Sequence, residues 1–427
     1  MRAHAMNRAS DRAKGETQPL WRYVPLGDHH LPPEAVQDTA RHWTVQFWSR
    51  LRGKEESSGS VDELEALPPE ASERIAPSPD WRDAARALDG ALAESNGVIS
   101  TAPARPAVVV GPPYSGTTQV LVLWAEARGW TVKTGPSPKE VLAGGERWLE
   151  GLASGPLEPF VLPRLERCFL RHHHGLSLMR GLVDWLLASE RACLIGCDSW
   201  AWAYLSTALG IDRLAPVLTL EAFDGERLAR WFAQLSPGFD QGGLEFRERK
   251  SGRPILRSAV SDGALGSENA PGAPRREQGE LSDFLERLAA RSRGIPGVAL
   301  AIWRHALRLG PAREQAEEDP HRSAEASLGR RTVWVEPWAE LELPEIPGSV
   351  CRSDILVLHA LLLHNGLESE RLRDLVPVYG PDVFEVLRRL EAARLVASID
   401  GRWRVTALGY PAVRRCLASE GYLVDSL

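Results

Sequence analysis

Between residues 107 and 235 the chain alternates short, nearly continuous apolar runs with longer stretches whose apolar positions recur every three to four residues. AVVV at 107–110, WTVKTG at 130–135, EPFVLPRL from 158, ACLIGC at 192–197 and APVLTLEAF from 215 read as five strands. Strands without polar alternation are buried on both faces, which is the condition of a parallel sheet covered by helices. TTQVLVLWAEARG, the stretch from the third strand to Leu187, and SWAWAYLSTALG supply intervening helices. The pattern predicts an α/β core over 101–235.

The flanking regions have other rhythms. Residues 1–18 read as disordered, and a Pro-Pro turn leads into a helix from Glu34. The acidic, proline-punctuated segment 55–80 reads as a linker with one short helix, and WRDAARALDGALAES at 81–95 has helical spacing. Residues 1–100 are therefore expected to form a partly disordered N-terminal region and linker. In 236–335, two helices joined at 294–297 predict a helical lid, with a polar Gly/Pro-rich stretch at about 250–280 as a flexible insertion. Residues 345–427 contain three helical segments, a strand, the turn Asp400-Gly401, a strand and a closing helix. Asp-Gly between alternating strands favours a tight hairpin, so this order predicts a winged helix.

The chemistry-bearing stretch is VVVGPPYSGTT at 108–118. A glycine loop between a strand and a helix turns backbone N–H groups toward an anion, and the helix terminus adds partial positive charge. The phosphate-loop pattern GxxxxGK[ST] places a lysine on the phosphates and a hydroxyl on Mg²⁺. Gly111, Gly116 and Thr118 match, Ser115 sits within the loop, and Thr117 stands where the lysine belongs. A hydrolase of this kind also needs a carboxylate at the end of its third strand. Here Phe160-Val161-Leu162 runs into Pro163-Arg164, with Glu158 and Glu166 only nearby. Two defects in separate parts of one chemistry predict lost or weakened hydrolysis. ATP or ADP is the ligand such a loop would take, with Mg²⁺ short of its usual carboxylate.

This order of glycine loop, five-stranded core, lid and winged helix resembles the AAA+ and STAND group of P-loop ATPases, especially the origin-recognition and archaeal-initiator type. The resemblance covers roughly residues 100–427. It implies that Gly111, Gly116 and Thr118 belong to the Walker A loop and that the strand ending at Leu162 takes the Walker B place, without its acidic pair. It also implies that Asp198 or Ser199, in CLIGCDSW, lies near the polar sensor 1 position. Arg304, in RGIPGVALAIWRHALR, becomes the sensor 2 candidate for touching phosphate.

Composition narrows the classes further. No run of about 18 apolar residues is present to span a membrane, and the N-terminus has no apolar signal core. Five cysteines in 427 residues read as reduced thiols of a cytoplasmic protein. A net charge of −6 exerts no general pull on nucleic acid. From Cys351 to Leu427 the chain carries ten arginines, no lysine and ten acidic residues, and is neutral. Arg388 and Arg389 on the third helix of the winged helix, and Arg402, Trp403 and Arg404 on its wing, are the candidates for contact with DNA or a protein partner. His172-His173-His174 diverge on a helix and predict no metal site. Cys193 and Cys197 share one side of a strand, where packing is expected. Trp200, Trp202 and Tyr204 read as core or partner contacts.

The combined expectation is a catalytically inactive or impaired adaptor or regulatory scaffold, working with another protein or as a homo-oligomer. A DNA-binding initiator or regulator is the alternative, and a weak ATPase is a second.

Overall fold

The computed structural model describes residues 19–33, 65–95, 106–155, 158–236, 243–256, 282–309, 331–348, 350–377 and 382–427. The expected N-terminal disorder over 1–18, the helix from Glu34 and most of the 250–280 insertion lie outside the described residues.

In chain order, β1 (Tyr23–Pro25), β2 (Glu65–Ala66), α1 (Pro69–Ile75) and α2 (Arg82–Ser95) precede the core. The core follows as β3 (Ala107–Gly111), α3 (Thr117–Arg128), β4 (Thr131–Val132), α4 (Pro138–Leu142), α5 (Glu146–Ala153), β5 (Phe160–Leu162), α6 (Ser177–Ala188), β6 (Cys193–Asp198), α7 (Ser199–Leu209), β7 (Val217–Leu220) and α8 (Gly225–Leu235). Next come β8 (Leu244–Glu248), α9 (Asp283–Ser292), α10 (Pro296–Ala306), β9 (Leu307–Leu309) and β10 (Arg331–Val335). The C-terminal unit is α11 (Arg352–Leu363), α12 (Ser369–Leu375), α13 (Val383–Ala392), β11 (Val396–Ile399), β12 (Arg402–Val405) and α14 (Tyr410–Ser419).

The main sheet has the order β1-β7-β3-β6-β5-β4. The five expected strands β3 to β7 are parallel, and β1 adds antiparallel to the β7 edge. All six residues of β6 are buried, as two-sided coverage requires. α3 presses Val120, Leu121, Trp124 and Ala125 into the core. The first strand thus lies inside the sheet, between the fourth and fifth. The loop after it opens at the carboxyl ends of the strands, where α/β sheets place their ligands. The molecule is an α/β fold whose parallel sheet carries the glycine loop after its first strand, with a small C-terminal helix/sheet unit.

One part of the chain departs from the expected helices-only lid. α9 and α10 are present, and beside them runs a second sheet of order β2-β9-β10-β8. The helical period of AIWRHALRLG stops at Ala306, because Leu307–Leu309 pairs antiparallel with β10. Trp303 fills the space between these layers, stacked on Phe232 at 4.9 Å and tilted against Phe246 at 5.3 Å. Glu336, at the end of β10, is buried and accepts from Arg249 at 3.0 Å and Arg308 at 3.1 Å.

In the C-terminal unit the three helices, the hairpin and the closing helix appear in the expected order. Asp400 and Gly401 both take positive φ, 51° and 73°, as a two-residue primed turn demands. α11 is buried on nearly every side, since it also docks on α7 of the core. Trp200 donates its indole N–H to the Tyr410 hydroxyl across that seam at 3.1 Å.

Candidate functional site

β3 delivers the chain to Gly111, and α3 begins after Gly116, so Pro112 to Ser115 make the loop between them. Gly116 has φ 78°, a left-handed position that glycine fills without cost. The benzo ring of Trp81 lies directly against it, where any side chain would stand. The hydroxyls of Ser115 and Thr117 bond each other at 2.8 Å and fold back over Gly111, into the space its missing side chain leaves. Thr118, in the first turn of α3, is half-buried.

Tyr114 is the apex of the loop, and its φ of 71° is costly for a residue with a Cβ. Three contacts hold it there. Its carbonyl accepts from the Gly297 N–H at 3.0 Å, which ties the loop to the start of α10. Its hydroxyl donates to the Val405 carbonyl at the end of β12. Its ring meets Tyr410 edge-on at 6.5 Å. One residue therefore joins the core to α10 through its carbonyl and to the C-terminal unit through its side chain. Burial holds its phenol well above the usual tyrosine range.

Asp198 is paired in register with Gly111, which puts the two strand ends side by side. Its side chain caps α7 by accepting from the Trp200 N–H at 3.0 Å. Burial, reinforced by Glu166, pushes its carboxyl well above the ordinary aspartate value. Glu166 lies beyond β5, and the 3-10 turn Leu165–Arg167 carries it back toward the strand ends. Its carboxylate is buried, accepts from the Asp198 N–H at 3.3 Å and from Arg164 Nε at 2.9 Å, and so reaches the strand ends from behind β5. Both of its oxygens are engaged. Sequence spacing held no signal for that placement, because Glu166 lies four residues beyond the strand.

Arg304 is placed elsewhere. Its Nε donates to the Ala76 carbonyl at 2.7 Å, and its Nη2 lies 3.4 Å from the Ser78 hydroxyl and 3.8 Å from Glu73. Gly297 touches the loop, and Arg304 is seven residues further along α10, about 10 Å by helical rise. Gly111, Ser115, Gly116, Thr117, Thr118 and Asp198 thus come together, and Arg304 instead fastens α10 to the segment after α1.

On the C-terminal unit, Arg388 is exposed. Arg389 is ion-paired with the buried Asp354 of α11. Arg402 donates to the Gly366 carbonyl at 2.6 Å, the Trp403 backbone pairs with Leu367, and Arg404 is half-buried. His172 to His174 lie in turns before α6 rather than on a helix. Among the described residues no group of three or more His, Cys, Asp or Glu side chains could hold a metal ion. Trp200 and Trp202 are buried, and Tyr204 stacks on Phe169 at 5.5 Å.

A triphosphate with Mg²⁺ asks for a cation at position 117, open space over Gly111 and Gly116, and a carboxylate at the end of β5. This loop presents a hydroxyl at 117, two folded-back hydroxyls over Gly111 and an indole against Gly116. The residues present do not fit that group as they stand. Two cavities of about 400 and 830 Å³ occur, the first lined by Val110, Ser199, Trp202 and Asp425, the second by Arg171, Tyr204, His359 and Tyr422. Neither is lined by residues 112–118.

No family model matches the chain, and no curated protein matches it. Solved structures do. The Thermotoga maritima RuvB Holliday junction branch migration motor is 13% identical, with 80% of this chain and 95% of that chain covered and a TM-score of 0.31. The Aeropyrum pernix ORC2 protein, solved as ADPNP-ADP complexes, is 13% identical over 81% of this chain and 96% of its own, at a TM-score of 0.27. The Walker-type ATPase paby2304 of Pyrococcus abyssi is 12% identical over 84% and 99%, at 0.28. Among the described residues no helix is long and apolar enough to cross a membrane.

Proposed function

We propose that this chain is a P-loop-derived scaffold, an adaptor or regulatory subunit for protein contacts, in which the phosphate loop has become a structural joint. The observation that carries this reading is Tyr114, whose carbonyl, hydroxyl and ring are bonded to the lid, the hairpin and α14. A loop that must admit and release nucleotide has to stay free of such ties, whereas a joint gains from each one. Thr117 in place of lysine removes the positive charge that stabilises phosphoryl transfer. ATP or ADP, if taken up, would act as a ligand that stabilises the closed form by mass action rather than as fuel. The DNA-binding alternative has less support, since of its four candidate arginines Arg389, Arg402 and Arg404 are engaged or half-buried and Arg388 alone is exposed.

The test is ATP turnover by the full chain with Mg²⁺, beside a Thr117→Lys variant. Neither is expected to release phosphate above a matched blank. Release at about 1 s⁻¹, the low end of common enzyme turnover, that disappears in a Gly116→Val chain which still folds would overturn the proposal.

A further inference from the structure

Behind the joint, at the seam between the turn after β5 and the hairpin, four arginines gather. Arg164 and Arg167 come from the core and Arg402 and Arg404 from β12, where alternate residues share a face, and the charges of Arg164, Arg402 and Arg404 all act on Arg167. The carboxylates that offset them are Glu166, on Arg164 Nε, and the half-exposed Glu368, 4.0 Å from Arg402. Four guanidiniums thus face these two carboxylates and Asp198, whose carboxyl burial pushes toward its neutral form.

The hydrogen bonding is also incomplete. Arg164 Nη2, Arg167 Nε, Arg402 Nε and Arg404 Nε are each hidden from solvent with no hydrogen-bond partner. A buried donor left unpaired costs about 1–3 kcal/mol, more when charged, so such groups are ordinarily matched. Here the orphaned donors coincide with unneutralised charge. Each of the four arginines remains partly exposed, so the cluster has a way out to solvent. Burial, then Arg164 and Arg402, push Arg167 down to about 10, so at neutral pH it keeps its charge at the cost of repulsion.

Planar guanidinium forks are suited to oxyanions carrying more than one charge. We propose that this seam binds a phosphate group, held by Arg164, Arg167, Arg402 and Arg404, and that the bound anion clamps the C-terminal unit to the core. The site adjoins the glycine loop through Glu166, which bonds the Asp198 N–H beside Gly111, and through Val405, which accepts from Tyr114, but it uses none of residues 111–118.

The probe is inorganic pyrophosphate, titrated into the full chain at constant ionic strength while thermal unfolding and binding heat are followed. Pyrophosphate is expected to raise the melting temperature of the native chain. Arg167→Gln and Arg404→Gln are each expected to weaken binding at least tenfold. Without pyrophosphate, Arg167→Gln should melt no lower than the native chain, since it relieves repulsion, and Arg404→Lys should keep part of the response. ATP that competes with pyrophosphate would identify a nucleotide as the source of the phosphate, and ATP that does not compete would identify a free oxyanion. Either supports the site. The proposal is overturned by no response in the native chain, by equal responses in native and Gln variants, or by a response lost in Thr117→Val but intact in Arg404→Gln. Variants that melt lower yet respond to pyrophosphate unchanged would show a purely structural role and overturn it too.

Discussion

At the scale of single residues, Tyr114 is where strain and bonding meet. Its left-handed backbone costs on the order of 1–3 kcal/mol for a residue with a Cβ, and only the surrounding contacts hold it there. Tyr114→Phe removes the bond to Val405 and leaves a carbonyl unpaired, with an expected loss of about 1 kcal/mol in urea unfolding. Tyr114→Ala also removes the ring from its contact with Tyr410 of α14, and about 3–5 kcal/mol is expected. Equal stability of the native, Phe and Ala chains would remove Tyr114 from its place as the joint. Nothing in VVVGPPYSGTT announced this role. The sequence offered two prolines and a tyrosine in a loop, and the groups that claim Tyr114 lie some 180 to 300 residues away.

At the scale of elements, the meeting of α10 with the loop depends on Gly297. A Cβ there would come within 2.5 Å of the Tyr114 carbonyl oxygen, a backbone atom that cannot turn aside. Gly297→Ala is therefore expected to destabilise the chain by about 1–3 kcal/mol, by overpacking. Because the glycine has no positive φ to explain its identity, the effect reports the contact alone. Guanidinium unfolding of Gly297→Ala within about 0.3 kcal/mol of native would show that α10 does not press on the loop. The two helices of this region were legible because their apolar positions hold one period for ten residues or more. The second sheet was not, because β2, β8, β9 and β10 are short and their partners are distant in sequence. A three-residue strand such as Leu307–Leu309 has no period of its own to read.

At the scale of the whole molecule, the docking of the C-terminal unit encloses two histidines. His364 is buried against Phe169, with ring centres 4.9 Å apart, and its Nε2 accepts from the Arg171 N–H at 3.4 Å. His359 lies 2.9 Å from Arg171 Nη1. Burial pushes His364 down to about 3, and burial followed by the charge of Arg171 pushes His359 down to about 4. Both values lie below that of the unfolded chain, about 6.5, so the unfolded chain takes up protons first. Their stabilisation is whole above about pH 6.5 and is lost as pH falls toward 4, on the order of 3 kcal/mol for each at pH 4. Asp198 and Asp425 act in the opposite sense, because burial raises both and the folded chain protonates first. Comparison with a His359→Gln, His364→Gln chain separates the two effects. Its melting temperature should fall less steeply than the native one between pH 6.5 and 4. Parallel curves would mean that the two histidines do not govern acid stability.

The sequence by itself determined whatever rests on local period and local turn chemistry. It specified the five strands, of which the edge strand β4 is exposed rather than buried, the glycine loop between the first strand and its helix, the threonine in the lysine's place and the Asp400-Gly401 hairpin. Backbone propensity and one-sided or two-sided burial act within a few residues, so they are written in neighbouring letters. Only the tertiary structure decided that Trp81 covers Gly116, that Glu166 turns back to Asp198, that Arg304 serves α1 rather than the loop, and that Arg402 and Arg404 close on Arg164 and Arg167. Each of these joins segments far apart in the chain, and their meeting is set by how sheet, lid and C-terminal unit pack, a sum over the whole core that no local stretch contains.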